Sequence, residues 1–330
     1  MTGYRILAVI MVLGAITVLG AGGVFLWGKS QFEAEGPLSQ ETITIIPSGA
    51  GVKAIARQLS SDGIVTDALV FELGVRLTDK SGSLKAGEYV FAAKSSAKEV
   101  LAVIRSGKTR LRRFTIAEGL TSRQIVDQIA VTDGLKGSIY FSVPPEGSLL
   151  PETYYFSYGE DRQDVIARMA RGMSDLVNTL WSGRAAGLPL KSPEEALILA
   201  SIVEKETGVA GERARVAAVF INRLRLAMRL QSDPTVAYGI TLGQAPLDRA
   251  LTRGDLKAET PYNTYTTAGL PPGPIASPGR AALEAVLNPA QSGDLYFVAD
   301  GTGGHAFSKT LEEHNRNVRK WRKIRDAAAQ

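Results

Sequence analysis

The segment ALILASIVEKETG, residues 196–208, places a carboxylate at the end of an apolar helical stretch. Ala196–Val203 contains no charged side chain, and Glu204 follows it directly. Because burial disfavours the charged form of a carboxyl group, Glu204 would hold its proton more tightly than an exposed glutamate does. That property suits a general acid working near neutral pH. The alternative is a structural glutamate that reaches solvent or forms a buried ion pair with Arg213, Arg223 or Arg229.

The helix that carries Glu204 is predicted to cover residues 193–207. Ser192 is the expected N-cap, Pro193 occupies the first turn, and Glu195 completes a capping box. At 100° per residue, Glu204 shares a face with Ala200, within about 40°. Glu206 lies about 200° away from Glu204. We therefore expect Glu206 on the solvent side of the helix.

Polar groups gather in two later segments. Gln231 and Asp233 follow an amphipathic helix predicted over 213–229, and Asn263 and Tyr265 lie in a loop predicted over 259–279. Aromatic rings beside amides and hydroxyls suit a carbohydrate, since rings stack on sugar CH faces and polar groups bind sugar hydroxyls. The alternative for each segment alone is a turn with packing aromatic rings. These four residues are candidates for holding sugars.

Two further polar side chains complete the candidates in this half of the chain. Glu152, in the aromatic segment PETYYFSYG, is a possible second acid of a cleft. His305 lies in LYFVADGTGGHAFS, which is predicted to form a β-hairpin, and a structural role is expected for it.

These elements indicate an α+β protein with two folded parts. Residues 41–142 are predicted to form a small α+β domain, including a helix over 67–77, and 143–330 a mainly helical domain. The smaller part contains a weak repeat of a strand, a glycine turn and a helix, seventy residues apart. The matched positions are Ile46, Gly49, Ile55 and Leu59 in one copy, and Ile116, Gly119, Ile125 and Ile129 in the other.

The N-terminus predicts a transmembrane helix. Ile6–Trp27 contains no charged side chain, and a bilayer core requires about 20 apolar residues as helix. We predict an uncleaved anchor over 1–28 and a linker over 29–40; a signal peptide cleaved near Gly20 is the alternative. The position of Arg5 favours a cytoplasmic N-terminus and a body outside the cytoplasm.

Composition argues against several other classes of site. The 330 residues include no cysteine and two histidines, so no disulfide, Zn–thiolate site or thiol nucleophile is possible and no His-rich metal site is expected. Gly23–Ser30 matches a phosphate-loop pattern, but its apolar residues predict no nucleotide site. The basic segment 105–113 predicts a solvated face, with an anion-facing patch as the alternative; it has no interleaved aromatic residues, which argues against nucleic acid.

Five motifs in order make a family resemblance specific. They are EGSLLPETY, LASIVEKET, VFINRLRLAMRLQSDPTVAYG, YNTYTTAGLPPGPIASPG and YFVADGTGGHAFSKTLEEHN. Together they resemble the YceG-like (MltG-type) endolytic murein transglycosylases, over nearly the whole chain. The resemblance implies a small LysM-like domain that would include the region around 41–91. It also implies a single-pass protein of the inner membrane, whose catalytic domain faces the periplasm or the cell exterior.

The resemblance assigns the catalytic acid to Glu204. It implies cleavage of the MurNAc–GlcNAc bond of nascent peptidoglycan strands, which forms 1,6-anhydroMurNAc ends and terminates elongation. One carboxyl group would act first as acid and then as base, with no metal or cofactor. Peptidoglycan synthases are possible partners. A hydrolase using a second carboxylate, Asp233 or Glu152, remains an alternative, as does a non-catalytic scaffold that binds peptidoglycan.

Overall fold

The structure is a computed structural model that describes residues 2–78, 84–139 and 143–328. Its described residues divide into two compact units. The N-terminal unit covers 1–112 and 155–159, and the C-terminal unit covers 113–154 and 160–330. The predicted domain boundary at 142 differs from this division. Contacts with later segments explain the difference, because Ser122 donates its backbone N–H to Glu146 and Gly119 donates its own to Ser277.

The N-terminal unit begins with a long apolar helix. Helix α1 (Thr2–Glu33) contains a stretch, Leu7–Glu33, that is long and apolar enough to cross a membrane, and an 18-residue window within it has a mean hydropathy of 2.4. It continues beyond the predicted end of the anchor at residue 28. Phe32 and Leu38, from the segment predicted as a linker, are both buried in the core of this unit.

A strand–helix–helix–strand region follows α1. Its elements are β1 (Thr42–Ile46), α2 (Val52–Ser61), α3 (Ala68–Leu77) and β2 (Gly87–Phe91). The two strands pair antiparallel, with Ile46 opposite Gly87. Helix α4 (Ala97–Ser106), for which no prediction was made, has a capping box between Ser96 and Glu99.

The predicted repeat is present in the structure. The second copy consists of β3 (Leu111–Thr115) and α5 (Ser122–Ala130), as the first consists of β1 and α2. Gly49 and Gly119, in the two turns, have φ angles of 78° and 77°. All six apolar repeat positions are buried. Strand β3 pairs with β4 (Thr153–Ser157) in a second two-stranded sheet.

The C-terminal unit is mainly helical. Its helices are α6 (Arg162–Ser182), α7 (Pro193–Glu206), α8 (Arg213–Arg225), α9 (Asp233–Thr241), α10 (Arg280–Leu287) and α11 (Leu311–Ala328). Strands β5 (Tyr296–Ala299) and β6 (His305–Ser308) pair antiparallel. Helix α8 ends before residue 229, because Ala227 has a φ of 51° and Met228 bonds back to Arg223.

Helices α7, α8 and α10 form the centre of this unit. Ala200 and Val203 of α7, Phe220 of α8 and Leu283 of α10 belong to one buried apolar cluster. Such burial stabilises the three helices together, at roughly 25 cal/mol per Å² of apolar surface removed from water. The cluster holds the C-terminal turn of α7, and with it Glu204, in one position.

Candidate active site

The start of helix α7 is set by local sequence, largely as predicted. Ser192 is the N-cap and accepts the backbone N–H of Glu195 at 3.3 Å. In the predicted capping box, the Glu195 side chain would accept the backbone N–H of Ser192. In the structure it accepts the backbone N–H of Lys191 instead, at 2.7 Å. The helix then runs to Glu206 and carries Glu204 in its last turn.

Glu204 is a nearly buried carboxylate with few polar neighbours. Its side chain is 7% exposed, and its Oε2 accepts the backbone N–H of Gly279 at 2.9 Å. A guanidinium nitrogen of Arg213 lies 3.9 Å from Oε1, so the ion-pair partner considered from the sequence is present at the edge of pairing distance. Glu204 thus has one hydrogen bond from the backbone and one cation, Arg213, at the edge of pairing distance.

Burial raises the pKa of Glu204 above its ordinary value, and the charge of Glu118 raises it further. The hydrogen bond from Gly279 and the charges of Arg213 and Lys205 act in the opposite direction. Desolvation is the largest of these effects, so the pKa of the carboxyl group is raised on balance. A carboxyl group in this state is suited to donating a proton near neutral pH.

Glu118 is a second carboxylate at the same place, and sequence reasoning missed it. It is exposed, whereas Glu204 is nearly buried. A Cβ at Gly279 would collide with the Glu118 carboxylate, so Glu118 packs directly against the residue that donates to Glu204. Only glycine fits at position 279 while Glu118 keeps this position. The turn of the second repeat copy, with its Glu118-Gly119 pair, was the available signal.

Backbone hydrogen bonds between segments distant in the chain bring the residues around Glu204 together. Gly119 donates to the carbonyl of Ser277 at 2.9 Å, and Ser277 donates to that of Leu120 at 2.8 Å. The ammonium group of Lys205, next to the candidate acid, donates to the Gly119 carbonyl at 3.1 Å. Three separate stretches of chain thereby meet around Glu204.

The predicted sugar-holding residues form a second polar cluster. The Tyr265 hydroxyl donates to Asp233 at 2.6 Å, and the backbone N–H of Gln231 donates to the Thr264 carbonyl at 3.1 Å. Gln231, Asp233 and the ring of Tyr265 are exposed or partly exposed. Asn263 differs from them, because its side chain is buried and bonds only to backbone groups of its own loop.

Glu206 belongs to this second cluster, and the prediction that it faces solvent is wrong. The Ser232 hydroxyl donates to its Oε1 at 2.5 Å. Burial raises the pKa of Glu206 to about 7, and the charge of Asp233 raises it while those of His305 and Arg223 lower it. The helical periodicity placed Glu206 opposite Glu204, but it could not show that α9 and its preceding turn cover that face.

Glu152 and His305 each have a hydrogen-bonding partner. Glu152 is exposed, and its carboxylate accepts the N–H of Thr153 at 3.3 Å. His305 Nδ1 lies 2.8 Å from the Glu212 carboxylate, which also accepts the His305 backbone N–H. Within residues 2–78, 84–139 and 143–328, no group of three or more acidic or histidine side chains is arranged to hold a metal ion.

Comparison with known proteins identifies the family. The profile of the YceG-like family matches residues 44–320, and the chain belongs to that family. An endolytic murein transglycosylase of Bacillus subtilis is 33% identical, over 91% of this chain and 90% of its own length. One from Streptococcus pneumoniae is 30% identical over 94% of this chain, and the match spans 64% of that relative.

A solved structure is also similar. A putative YceG-like protein from Listeria monocytogenes matches with a TM-score of 0.53 and 29% identity. The match covers 84% of this chain and 98% of the other. The fold described above is therefore similar to that of a crystallographically determined YceG-like protein.

Proposed function

We propose that this protein is a lytic transglycosylase, a lyase that cuts peptidoglycan glycan strands internally. The observation that carries the proposal is the nearly buried Glu204 carboxyl group, whose pKa burial raises. Relatives that match nearly the whole chain bear the name endolytic murein transglycosylase. The bond proposed to be cleaved is that between MurNAc and GlcNAc, in nascent strands, so that cleavage ends their elongation.

In the proposed reaction, Glu204 acts twice. Its proton passes to the glycosidic oxygen, the bond from that oxygen to MurNAc C1 breaks, and an oxocarbenium-like centre develops. The Glu204 carboxylate then takes the proton of the C6 hydroxyl of the same sugar, and the C6 oxygen bonds to C1. The products are a 1,6-anhydroMurNAc end and a free GlcNAc hydroxyl. The acid is restored, and water is not consumed.

Neighbouring groups would assist these steps. When Glu204 becomes a carboxylate, the Gly279 N–H and the Arg213 guanidinium are in place to stabilise its charge. The exposed Glu118 carboxylate is suited to stabilise positive charge at C1 by electrostatic attraction. Its charge also raises the pKa of Glu204, which favours the protonated form before reaction.

The second polar cluster is proposed to hold the sugars. Exposed Gln231 and Asp233 offer hydrogen-bonding groups, and the ring of Tyr265 offers a stacking surface. Glu152, also exposed, is proposed as a further contact to the substrate. Asn263 would act indirectly, because its buried amide donates to the carbonyls of Ala258 and two other residues and so shapes the loop.

The protein is further proposed to be anchored in the inner membrane by Ile6–Trp27. Its N-terminus would lie in the cytoplasm and its catalytic unit outside. The strand–helix–helix–strand region from β1 to β2 is proposed as the LysM-like domain. Peptidoglycan synthases remain proposed partners. A single cysteine introduced at exposed Val131 and probed in intact cells with an impermeant thiol reagent tests the orientation.

The substitution Glu204→Gln tests the catalytic assignment. It should reduce glycan cleavage by a factor of at least about 100, because the amide cannot donate or accept the required protons. Glu194→Gln is the matched control, since Glu194 lies on the same helix and is exposed. Cleavage is followed by mass spectrometry of the products, and near-UV circular dichroism checks the fold. Normal activity in Glu204→Gln would refute the assignment.

A hydrolase is the second candidate, and the position of Glu118 beside Gly279 favours it over a scaffold. A second carboxylate could activate water at C1. Mass spectrometry separates the two reactions, because hydrolysis leaves a reducing MurNAc end whereas the transglycosylase leaves the anhydro form. If the intact purified protein binds strands without any cleavage, the non-catalytic scaffold is correct.

A further inference from the structure

Helix α3 exposes a continuous apolar face. Leu69, Leu73 and Leu77 are spaced four residues apart and therefore lie on one side of the helix. Their exposed fractions are 62%, 46% and 69%. Scattered exposed leucines are ordinary in soluble proteins, but an aligned row of three is the kind of patch that marks an interaction surface.

The outer end of α1 is packed against this helix. The Phe32 ring is buried, and a Cβ at Gly74 of α3 would collide with it. The Lys98 ammonium group lies 3.0 Å from the Glu33 carboxylate and ties the end of α1 to α4. The end of the anchor helix is therefore a packed part of the N-terminal unit.

The leucine row and α1 form the two walls of a groove of about 750 Å³. Val24, Phe25 and Trp27 of α1 line one wall, and the three leucines of α3 line the other. All of these α1 side chains are exposed and belong to the stretch that is apolar enough to cross a membrane. The groove is thus continuous with the surface that would contact lipid.

The length of α1 sets the depth of this groove in a bilayer. A hydrocarbon core of about 30 Å takes roughly 20 helical residues, whereas the candidate span Leu7–Glu33 contains 27, of which the last six include Lys29 and Glu33. If the core begins near Leu7, it ends near Leu26, beside Phe25 and Trp27. The leucine row of α3 would then lie at the boundary between acyl chains and headgroups.

We propose that the leucine row of α3, residues 69, 73 and 77, inserts into the outer boundary of the bilayer and holds the N-terminal unit on the membrane surface. The occupant of the groove is lipid acyl chain. This inference rests on the proposed membrane anchoring, which sets the depth of the groove in the bilayer. An amphipathic helix lying in the interface in this way buries its apolar face among the acyl chains.

The charges of α3 are compatible with this position. Glu72, the one acidic residue within the helix, accepts a hydrogen bond from Arg76 at 2.6 Å, so its charge is compensated locally. Arg76 and Lys98 are largely exposed. Long basic side chains of this kind can reach the interface while their methylene groups remain among apolar atoms, and both are here paired with carboxylates, Arg76 with Glu72 and Lys98 with Glu33.

The test uses the full chain in proteoliposomes. Because the sequence has no cysteine, Leu73→Cys provides a single site for an environment-sensitive fluorophore. Ile43→Cys is the matched control, since Ile43 and Leu73 are both 46% exposed in the same unit and Ile43 does not line the groove. Quenching is measured with aqueous iodide and, separately, with nitroxide attached to lipid acyl chains.

We expect iodide to quench the label at Leu73 at least ~3-fold less than the label at Ile43, and lipid nitroxide to quench it more strongly. Equal iodide quenching at the two positions overturns the proposal. Protection from iodide without quenching by lipid nitroxide also overturns it, since a second protein or another copy then covers the row. Extraction with alkaline carbonate tests anchoring separately: a retained protein with an iodide-accessible Leu73 label refutes only this inference.

Discussion

Replacing Glu206 with glutamine should make the C-terminal unit more stable in mildly alkaline solution. Glu206 accepts the Ser232 hydroxyl at 2.5 Å in a partly buried position. Burial raises the pKa of its carboxyl group to about 7. Glutamine has nearly the same shape as the protonated acid and still accepts that hydrogen bond, but it never acquires the charge. The variant therefore isolates the cost of ionising this side chain.

The direction of the effect follows from proton linkage. The ordinary carboxyl pKa is 4.5, and the folded protein binds the Glu206 proton more tightly than the unfolded chain does. The stabilising contribution of Glu206 is therefore complete below pH 4.5 and is lost as the pH rises through about 7. At 1.36 kcal/mol per pKa unit, the loss is at most about 3 kcal/mol in the free energy of unfolding.

The assay compares thermal unfolding of the wild-type protein and Glu206→Gln, both full length in the same detergent, between pH 4.5 and 8.5. Tryptophan fluorescence reports largely on the C-terminal unit, which contains Trp181 in α6 and Trp321 in α11, and the contribution of Trp27 in α1 is common to both proteins. The difference between the two curves of stability against pH cancels the contributions of all titrating groups that the two proteins share. The stability of the variant relative to wild type should therefore rise with pH. Glu259→Gln, at an exposed carboxylate, should give a flat difference. A flat difference for Glu206→Gln as well would refute the reasoning.

Three further predictions concern the surroundings of Glu204. Glu118→Gln should move the alkaline limb of the activity profile to lower pH, because the charge that raises the pKa of Glu204 is removed; an unmoved limb in a pH–rate measurement contradicts this. Arg213→Met should move the same limb to higher pH, because that cation lowers the pKa; a shift in the other direction would be inconsistent with the assigned electrostatics. Gly279→Ala should move the alkaline limb to lower pH, as Glu118→Gln does, because its Cβ displaces the exposed Glu118 carboxylate whose charge raises the pKa of Glu204; an unmoved limb in a folded variant would rule this out.

Several elements were predictable because their signals are local. The start of α7 follows from Ser192 and Pro193, which cap and initiate a helix wherever the fold places it. The two repeat copies follow from the spacing of apolar residues around a glycine turn. The end of α8 was misplaced, because a residue with positive φ at Ala227 has no local sequence signal.

The surroundings of the candidate site were less predictable. Asp233 and Tyr265 were both selected for their residue types, and the structure joins them by a hydrogen bond. Asn263 was selected for the same reason, but its amide serves the backbone of its own loop. Residue type alone does not distinguish a side chain that meets a ligand from one that satisfies buried carbonyls, since both need the same donors.

The sequence by itself determined the family, the apolar N-terminal helix and the helix that carries Glu204, and it is the basis for proposing that residue as the acid. Only the tertiary structure decided that Glu118 lies beside Gly279, which donates to Glu204, and that Glu206 is partly buried against Ser232. The physical reason is that both depend on segments distant in the chain: residues 119–120 bond to Ser277, and the turn at Ser232 covers Glu206. Local periodicity sets which way a side chain points along its helix, whereas desolvation and neighbouring charge, which shift its pKa, arise when remote segments pack around it.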